Sequence, residues 1–182
     1  MWRMMAPRGE TLFEVGAYRV QRISEEDAPL LRKLGERCGD HLELHYGSPV
    51  DPEQLVRDLV TDLPPGKSLA DKFGLGILES AGRLVGGIDV VRDYPEPGEW
   101  YLGLLVLDPR HRSQGLGTKL MVALVHWLRG QGARSLRLAV SEHNEAGRRF
   151  WTRQGFEPVK QVIAEFGNKQ SVFHVMRRTL EE

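Results

Sequence analysis

The sequence predicts an α/β (α+β) protein in which one mixed sheet of about seven strands is flanked by about four helices. Three observations carry this prediction. Stretches of alternating or continuous apolar β-formers recur along the chain. Runs with apolar residues three and four positions apart lie between those stretches. Glycine, proline and helix-capping residues separate the two kinds of segment.

The N-terminal part of the chain is predicted to hold one strand and two helices. Residues 1–16 are expected to form a loose leader, followed by a single domain over residues 17–182. Residues 18–23 are predicted as a strand. A helix then begins at Ser24, because acidic residues follow it in the first turn. Asp51, followed by a proline, begins the second helix.

The segment between these two helices, residues 39–50, is expected to be a polar loop rich in turns. Leu42 and Leu44 alternate with polar residues, so a short half-buried extended piece is also possible. His41 and His45 are four residues apart, as metal ligands on a helix would be. No third ligand is evident, and nearby glycine and proline disfavour a long helix, so we predict no metal site.

The central part of the chain is predicted to contain three strands and a helix. Residues 73–80 and 83–92 form two strands joined by a short turn. A proline-rich loop over residues 93–98 leads to the next strand, over residues 99–107. The segment 116–129 is so apolar that we expect a largely buried helix, ended by two glycines.

The C-terminal part is predicted to add three strands and one helix. Residues 135–140 form a strand of mixed polarity, and Asn144 caps the helix that follows. Residues 159–166 and 171–180 are expected to make a final hairpin around Gly167-Asn168.

Composition and charge exclude several classes of protein. The 182 residues carry a formal net charge of zero, which suggests neither nucleic acid nor an anionic membrane as a partner. No apolar run approaches the length of a membrane span, and no signal peptide is evident. The sequence has a single cysteine, Cys38, so an intrachain disulfide is impossible and a cytoplasmic location is expected.

The most informative stretch is the glycine turn, residues 112–117, between a predicted strand and a predicted helix. This order points several unpaired N–H groups into one hollow, where the helix dipole adds positive potential. Gly115 and Gly117 lack a Cβ, so a phosphate could approach the backbone closely. A Walker loop is set aside because Thr61 replaces its first glycine, and a dinucleotide fingerprint because Leu120 replaces its third.

Two strings of residues resemble motifs of the GNAT superfamily of acetyltransferases. Residues 105–117 resemble its acetyl-CoA-binding motif, an apolar strand and a proline followed by Arg/Gln-x-x-Gly-x-Gly/Ala. Residues 144–156 resemble the family's asparagine-led helix that ends in Gly-Phe. The resemblance covers residues 73–180 well and residues 18–63 only as a pattern of elements. It implies a mostly antiparallel, twisted sheet.

The resemblance implies acetyl-CoA as a co-substrate, and the residues themselves predict no metal. The pyrophosphate would be held by the glycine turn and the first residues after it, namely Arg112, Ser113, Gln114, Gly115, Leu116, Gly117 and Thr118. Pantetheine would lie where the strand ending at Leu107 splays from residues 135–140, and would pair with Leu105 and Leu107. A free N–H near Leu105 would stabilise the negative charge that develops on the thioester oxygen.

Two further residues of the second motif would contact pantetheine. Asn144 matches the family's asparagine, although a plain helix N-cap is an equal reading and both roles can hold at once. Trp151 stands where many members carry a tyrosine that protonates the departing thiolate. An indole has no proton of useful acidity. Water, Tyr101 or Ser141 would then be the acid, or none is needed, because a thiol pKa is about 8.5.

An amine acceptor must lose a proton before it attacks, and the base can be a carboxylate, a histidine or an ordered water. Strand alternation places Glu99 and Tyr101 on one face with Gly103, Leu105 and Leu107. Some members of the family carry a glutamate near this point. Glu99 is therefore the first candidate for the base, with Tyr101 as its water-holding partner. A plain solvent-facing strand start is the alternative for Glu99.

The acceptor pocket is expected at the loops over residues 39–50 and 93–98 and at the final hairpin. His45, Tyr46 and Tyr94 are the predicted substrate-binding residues on this somewhat acidic rim. An acidic rim favours a cationic acceptor, a small-molecule amine or a basic peptide end.

We therefore expect an acetyl-CoA-dependent N-acetyltransferase that works by direct attack, without a covalent enzyme intermediate. Trp151 leaves open the alternative of a catalytically silent acyl-CoA sensor of the same fold. A homodimer is also possible, because family members often pair through their final strands and residues 171–180 are expected to form such a strand.

Overall fold

The computed structural model describes residues 9–166 and 169–181. Its strands are β1 (Thr11–Val15), β2 (Tyr18–Arg22), β3 (Lys72–Leu78), β4 (Leu84–Val91), β5 (Glu99–Leu107), β6 (Ser135–Ser141), β7 (Glu157–Phe166) and β8 (Lys169–Thr179). Its α-helices are α1 (Ala28–Arg37), α2 (Gly39–Tyr46), α3 (Gln54–Val56), α4 (Leu116–Gly130) and α5 (Glu145–Arg153). A π-helical turn over Arg57–Thr61 continues α3. The predicted turn of the last hairpin, Gly167-Asn168, lies outside the described residues.

The strands form one eight-stranded sheet in the order β1-β2-β3-β4-β5-β6-β8-β7. Every neighbouring pair is antiparallel except β5 and β6, which are parallel. The predicted fold class is confirmed, with one strand more than the seven expected. No helix among the described residues is both long and apolar enough to cross a membrane.

Two apolar clusters cover the two faces of the sheet. Helix α4 supplies the first cluster with Leu120, Met121, Leu124 and Leu128, which pack on strand residues such as Trp100. Helices α1, α2 and α3 supply the second cluster on the other face, where it meets the ends of β4 and β5. The helices therefore form two layers, with the sheet between them.

The expected loose leader over residues 1–16 is wrong for residues 11–15, which form β1. This strand pairs antiparallel with β2, and Val15 lies opposite Tyr18. Leu12 and Phe13 are partly buried against the α4 cluster, and this burial holds the segment on the sheet.

The expected polar loop over residues 39–50 is wrong for its first part, which forms α2. Leu42 is buried in the second cluster together with Leu34 and Leu55, so tertiary packing supports the helix. Gly47 has a φ of 81°, and its N–H bonds to the carbonyl of Glu43, which ends the helix as a glycine commonly does.

A homodimer through the final strands stays a prediction, but the open strand edge that it would need is not on β8. Strand β8 is paired with β6 on one side and with β7 on the other. Both of its edges are therefore used within the chain, and β7 is the outer strand.

A β-bulge at Gly103 changes which face of the sheet the side chains of β5 point to. Leu104 lies opposite Asp89 and Leu102 lies opposite Val90, so Gly103 has no partner on β4. Before the bulge, Trp100 and Leu102 belong to the α4 cluster; after it, Leu104 and Val106 belong to the opposite cluster.

The expected alternation along β5 is therefore wrong. Leu105 and Leu107 pack toward the α4 cluster. Glu99 and Tyr101 precede the bulge and are out of phase with Trp100, so they point to the other face. One strand thus presents side chains to both helical layers.

Candidate active site

A cleft of about 460 Å³ opens between β5 and β6. These parallel strands pair only from Glu99 opposite Ser135 to Tyr101 opposite Arg137, and then separate. The wall of the cleft contains residues of both helical layers, His41 and His45 from α2 on one side and Gly117, Phe150 and Trp151 from α4 and α5 on the other. The opening therefore passes through the sheet.

Most of the predicted cofactor residues line this cleft, namely Leu105, Leu107, Arg112, Ser113, Gly115, Gly117, Thr118, Asn144 and Trp151. Two predicted residues do not line it. Gln114 donates a hydrogen bond from Nε2 to the carbonyl of Arg110, at 2.8 Å. Leu116 is buried in the α4 cluster, so only its backbone is available to a ligand.

The glycine turn has the backbone shape that an anion site needs. Ser113 has a φ of 59° and Gly115 a φ of 80°, so the chain reverses tightly ahead of α4. The first bond of the helical ladder runs from the N–H of Lys119 to the carbonyl of Gly115. The N–H groups of Leu116, Gly117 and Thr118 precede it and have no partner in the helix. A Cβ on Gly115 would meet no atom within 4 Å, so a ligand can reach this backbone.

Arg112 is bonded rather than free. Its Nε donates to the carbonyl of Leu107 at 2.8 Å, and its two terminal nitrogens donate to the carboxylate of Asp40 at 2.6 and 3.1 Å. These bonds lower the pKa of Asp40. The arginine therefore joins the end of β5 to α2, and its charge is offset before any ligand binds.

The second motif, residues 144–156, places the N-cap of α5 and one aromatic ring at the cleft. The side chain of Asn144 accepts a hydrogen bond from the N–H of Gly147 at 2.9 Å, which makes it the N-cap of α5. Trp151 packs between Phe150 and Phe156, with ring centroids 4.8 and 5.5 Å away. The indole is thereby held against the cleft wall.

Glu99 lies outside the cleft and is fully paired. One carboxylate oxygen accepts from Nε of Arg137, and the other accepts from Nε of Arg177 at 3.2 Å. The residue is only 7% exposed. Because both oxygens are bonded to arginines, the geometry disfavours Glu99 as the base and favours a structural role.

Tyr101 lies on the face opposite the α4 cluster, beside Tyr94. The two rings are perpendicular, with centroids 5.7 Å apart. Burial raises the pKa of Tyr101 to about 12, and the neighbouring Tyr94 and Asp89 act in the same direction. The phenol keeps its proton at neutral pH and is available as a hydrogen-bond donor.

Of the three predicted acceptor residues, the structure places only His45 at the cleft. His45 lines the cleft together with His41, and their ring centroids are 4.6 Å apart. Burial, and then His45, lower the pKa of His41 to about 3, so its imidazole is neutral. Tyr46 does not line the cleft. Its hydroxyl donates a hydrogen bond to Oδ1 of Asp58 at 2.8 Å. Tyr94 packs on Tyr101 instead.

A buried charged cluster behind the bulge escaped the sequence analysis. Nζ of Lys72 donates to Oδ1 of Asp89 at 2.8 Å and to the carbonyls of Asp58 and Asp62 at 2.9 and 2.8 Å. Oδ2 of Asp89 lies beside Gly103, where a Cβ would collide with it. The signal that could have revealed this site is the lone carboxylate in the apolar run 84–91.

Within residues 9–166 and 169–181, no group of three histidine, cysteine or acidic side chains is arranged to hold a metal ion.

The model of the family described as "Acetyltransferase (GNAT) family" matches residues 38–156. The chain belongs to the GNAT family. The matched residues include α2, the buried charged cluster, the glycine turn and α5, which are the parts that surround the cleft.

Comparisons with individual proteins agree with the membership of this chain in the GNAT family. It is 30% identical over 73 residues to N-alpha-acetyltransferase 30 of Schizosaccharomyces pombe, a match that spans 40% of this chain and 49% of that one. The aligned part is thus about half the length of that relative.

Two solved structures resemble the chain over most of its length. An acetyltransferase from Thermus thermophilus has a TM-score of 0.68 and 26% identity, and the match covers 90% of this chain and 98% of that one. The PaiA N-acetyltransferase from Thermoplasma acidophilum, in complex with coenzyme A, has a TM-score of 0.64 and 17% identity, with coverage of 89% and 98%. At that identity the second likeness shows the fold alone.

Proposed function

We propose that this GNAT protein transfers an acetyl group from acetyl-CoA to a primary amine of a small molecule or peptide. The amine attacks the thioester directly, and no enzyme group carries the acetyl in between. The observation that carries the proposal is the cleft through the sheet, which is lined by a glycine turn with N–H groups that have no partner among the described residues.

The chain has a suitable group for each part of the carrier. The N–H groups of Leu116, Gly117 and Thr118 suit a diphosphate, since they are unpaired donors at a helix N-terminus. Beyond Tyr101, β5 has no partner on the β6 side, and this open strand edge suits the amides of pantetheine. The coenzyme A complex of the Thermoplasma acidophilum relative has the same fold and supports this choice of ligand.

The test combines calorimetry with an assay of thiol release. Acetyl-CoA is titrated into the purified chain, and release of free thiol is then followed with a panel of mono-, di- and polyamines and basic peptides. We expect binding, together with thiol release that matches the amount of acetylated amine. Absence of any heat of binding would contradict the proposal at its first step.

A catalytically silent acyl-CoA sensor is the second candidate, because Trp151 lines the cleft where an acidic hydroxyl would help the thiolate to leave. A sensor would bind acetyl-CoA and release no thiol with any amine of the panel. The same two measurements therefore separate the two functions.

A further inference from the structure

We propose that Asp89 is the catalytic base of this protein, taking the proton of the acceptor amine at the Gly103 bulge, and that Lys72 is its positioning residue. This inference rests on the proposed acetyl transfer and names the group that makes the amine nucleophilic.

The two carboxylate oxygens of Asp89 have different surroundings. Oδ1 accepts a hydrogen bond from Lys72 at 2.8 Å. Oδ2 accepts no hydrogen bond from the described residues and faces Gly103. The side chain is 12% exposed, so it is buried but not sealed. One oxygen anchors the carboxylate, and the other is available to a proton donor.

Gly103 is the link between this oxygen and the cleft. It lines the cleft wall and is exposed. As the bulged residue it has no partner on β4, and it lacks the Cβ that would collide with Oδ2. Any larger residue here would separate Asp89 from the cleft, so the bulge opens the sheet to the carboxylate at the point where β5 and β6 diverge.

The electrostatic surroundings of Asp89 suit proton transfer near neutral pH. Burial raises the pKa of Asp89 to about 6; Lys72 opposes this shift, while Asp58 and Asp62 add to it. Lys72 donates three hydrogen bonds, so its ammonium is held in one position. The titratable groups that face Asp89 are Lys72 on β3, Asp58 and Asp62 around the π-helical turn, Tyr101 on β5 and Tyr46 on α2.

The chemical step balances in atoms and charge. An alkylammonium gives one proton to Oδ2 of Asp89, and the freed nitrogen lone pair attacks the thioester carbonyl carbon. The C–N bond forms, and the C–S bond breaks with its electron pair going to sulfur. Sulfur takes a second proton from the nitrogen, and Asp89 returns the first to solvent. One proton is released in each turnover, and nothing is oxidised or reduced.

The test is the pH dependence of kcat/KM in Asp89→Asn, with an alkylamine that the unaltered chain acetylates. We expect kcat/KM at pH 7 to fall by about 100-fold or more, the usual size of a lost general base. The acidic limb of the profile, near pH 6 in the unaltered chain, should disappear. Affinity for CoA, measured by calorimetry, should stay within about twofold because the glycine turn is untouched.

Glu36→Gln is the matched control. It also replaces a carboxylate by an amide, but on an exposed side chain of α1 that is not among the groups facing Asp89. It should keep both the acidic limb and kcat/KM within about threefold.

The possible results separate this inference from the proposed function. An unaltered chain that binds CoA but acetylates nothing would refute the transfer itself. Transfer by the unaltered chain, with an Asp89→Asn profile like that of the parent, would refute only the role of Asp89.

Should Asp89→Asn fail to fold, Lys72→Met/Asp89→Asn removes both buried charges and is expected to show the same loss of the acidic limb. The profile of the unaltered chain is a further check. A profile of the unaltered chain with no acidic limb would overturn the assignment even without a variant.

Discussion

The guanidinium of Arg112 makes two hydrogen bonds to the carboxylate of Asp40, at 2.6 and 3.1 Å, and a third to the carbonyl of Leu107. Asp40 lies in α2, and Leu107 is the last residue of β5. The residue that the motif assigns to a phosphate therefore also ties α2 to the strand that forms one side of the cleft.

Substitutions of Asp40 and of Arg112 should lower the free energy of unfolding by different amounts. Asp40→Asn should lower the free energy of unfolding by less than about 1 kcal/mol, since the Asp40 side chain is 62% exposed and solvent screens the pair. Arg112→Gln should cost about 1 kcal/mol more, because the carbonyl of Leu107 also loses its donor. Urea denaturation of both variants and of the double variant checks this. Equal costs for the two single variants would contradict it.

The Asp40 contribution also has a defined pH range. Arg112 lowers the pKa of Asp40 in the folded chain, so the pair stabilises folding above the unfolded value of about 3.9. That contribution should be lost as the pH falls through the lower, folded value. Asp40→Asn should therefore unfold at a lower urea concentration than the parent at pH 7, and this difference should shrink as the pH falls below about 3.9.

Gly117→Trp should abolish CoA binding and leave the fold intact. A Cβ on Gly117 would lie 3.3 Å from the ring of Phe150, so an indole there must occupy the cleft. We expect the CoA dissociation constant to rise at least about 100-fold, which corresponds to about 2.7 kcal/mol. Gly130→Trp, at the open end of the same helix, has no atom within 4 Å of the new Cβ and should bind CoA as the parent does. Unchanged affinity in Gly117→Trp would place the ligand elsewhere.

His41 should make the folded chain sensitive to acid. Its pKa is lowered to about 3 by burial and by His45, so the folded state holds it neutral while the unfolded chain protonates it near pH 6.5. Its stabilising contribution is present above pH 6.5 and is lost as the pH falls toward 3. Between these two pH values, the free energy of unfolding should fall by about 1.4 kcal/mol for each pH unit, because one proton is taken up on unfolding.

His41→Gln should remove the contribution of His41 to the pH dependence of the free energy of unfolding, measured from pH 7 to pH 4. His126→Gln replaces an exposed histidine of α4 and serves as the control. A His41→Gln variant with the full slope of the parent would show that another group causes the acid sensitivity.

Glu99 should prove to be a structural residue. Glu99→Gln leaves Arg137 and Arg177 without the buried carboxylate that now accepts from both. Loss of one partner of a buried ion pair typically costs about 3–5 kcal/mol, and the lower end applies here because Arg177 is 41% exposed. Glu145→Gln breaks an exposed pair with Arg149 and should cost less than about 0.5 kcal/mol. Similar urea midpoints for the two variants would contradict this role.

Cys38 should be unreactive in the folded chain. It is fully buried, and burial raises the pKa of its thiol to about 11. A thiol reagent at pH 7.5 should therefore label it at least about 100-fold more slowly than in the chain unfolded by urea, because only the thiolate reacts. Comparable rates in the two conditions would show that the α1–α2 junction opens readily.

The parts of the fold that were predicted from sequence are those with a strong local signal. The strand over residues 99–107 and the start of the helix at Leu116 agree with the structure, because a long apolar period and a glycine turn mark their limits. Helix α2 was missed because Leu42 and Leu44 are spaced like strand residues, and only contact with α1 and α3 favours the helix. The five-residue β1 depends on pairing with β2 in the same way.

Only those parts of the candidate site that are contiguous in the sequence were predicted. The glycine turn and Asn144 are local motifs, and their positions at the cleft follow from a strand, turn and helix in sequence. The cluster of Lys72 and Asp89 joins two strands through side chains 17 positions apart, so no local pattern reveals their pairing. The wrong placement of Glu99 on the same face as Leu105 came from Gly103, since one unpaired glycine reverses the strand alternation on which that placement depended.

The cleft reaches α2 on one face of the sheet and the glycine turn with α5 on the other. Under the proposed acetyl transfer, acetyl-CoA and the amine would enter the cleft from opposite faces of the sheet, so neither would have to leave before the other binds. Both orders of binding would then be open, and substitutions around α2 would alter the amine specificity without touching the glycine turn.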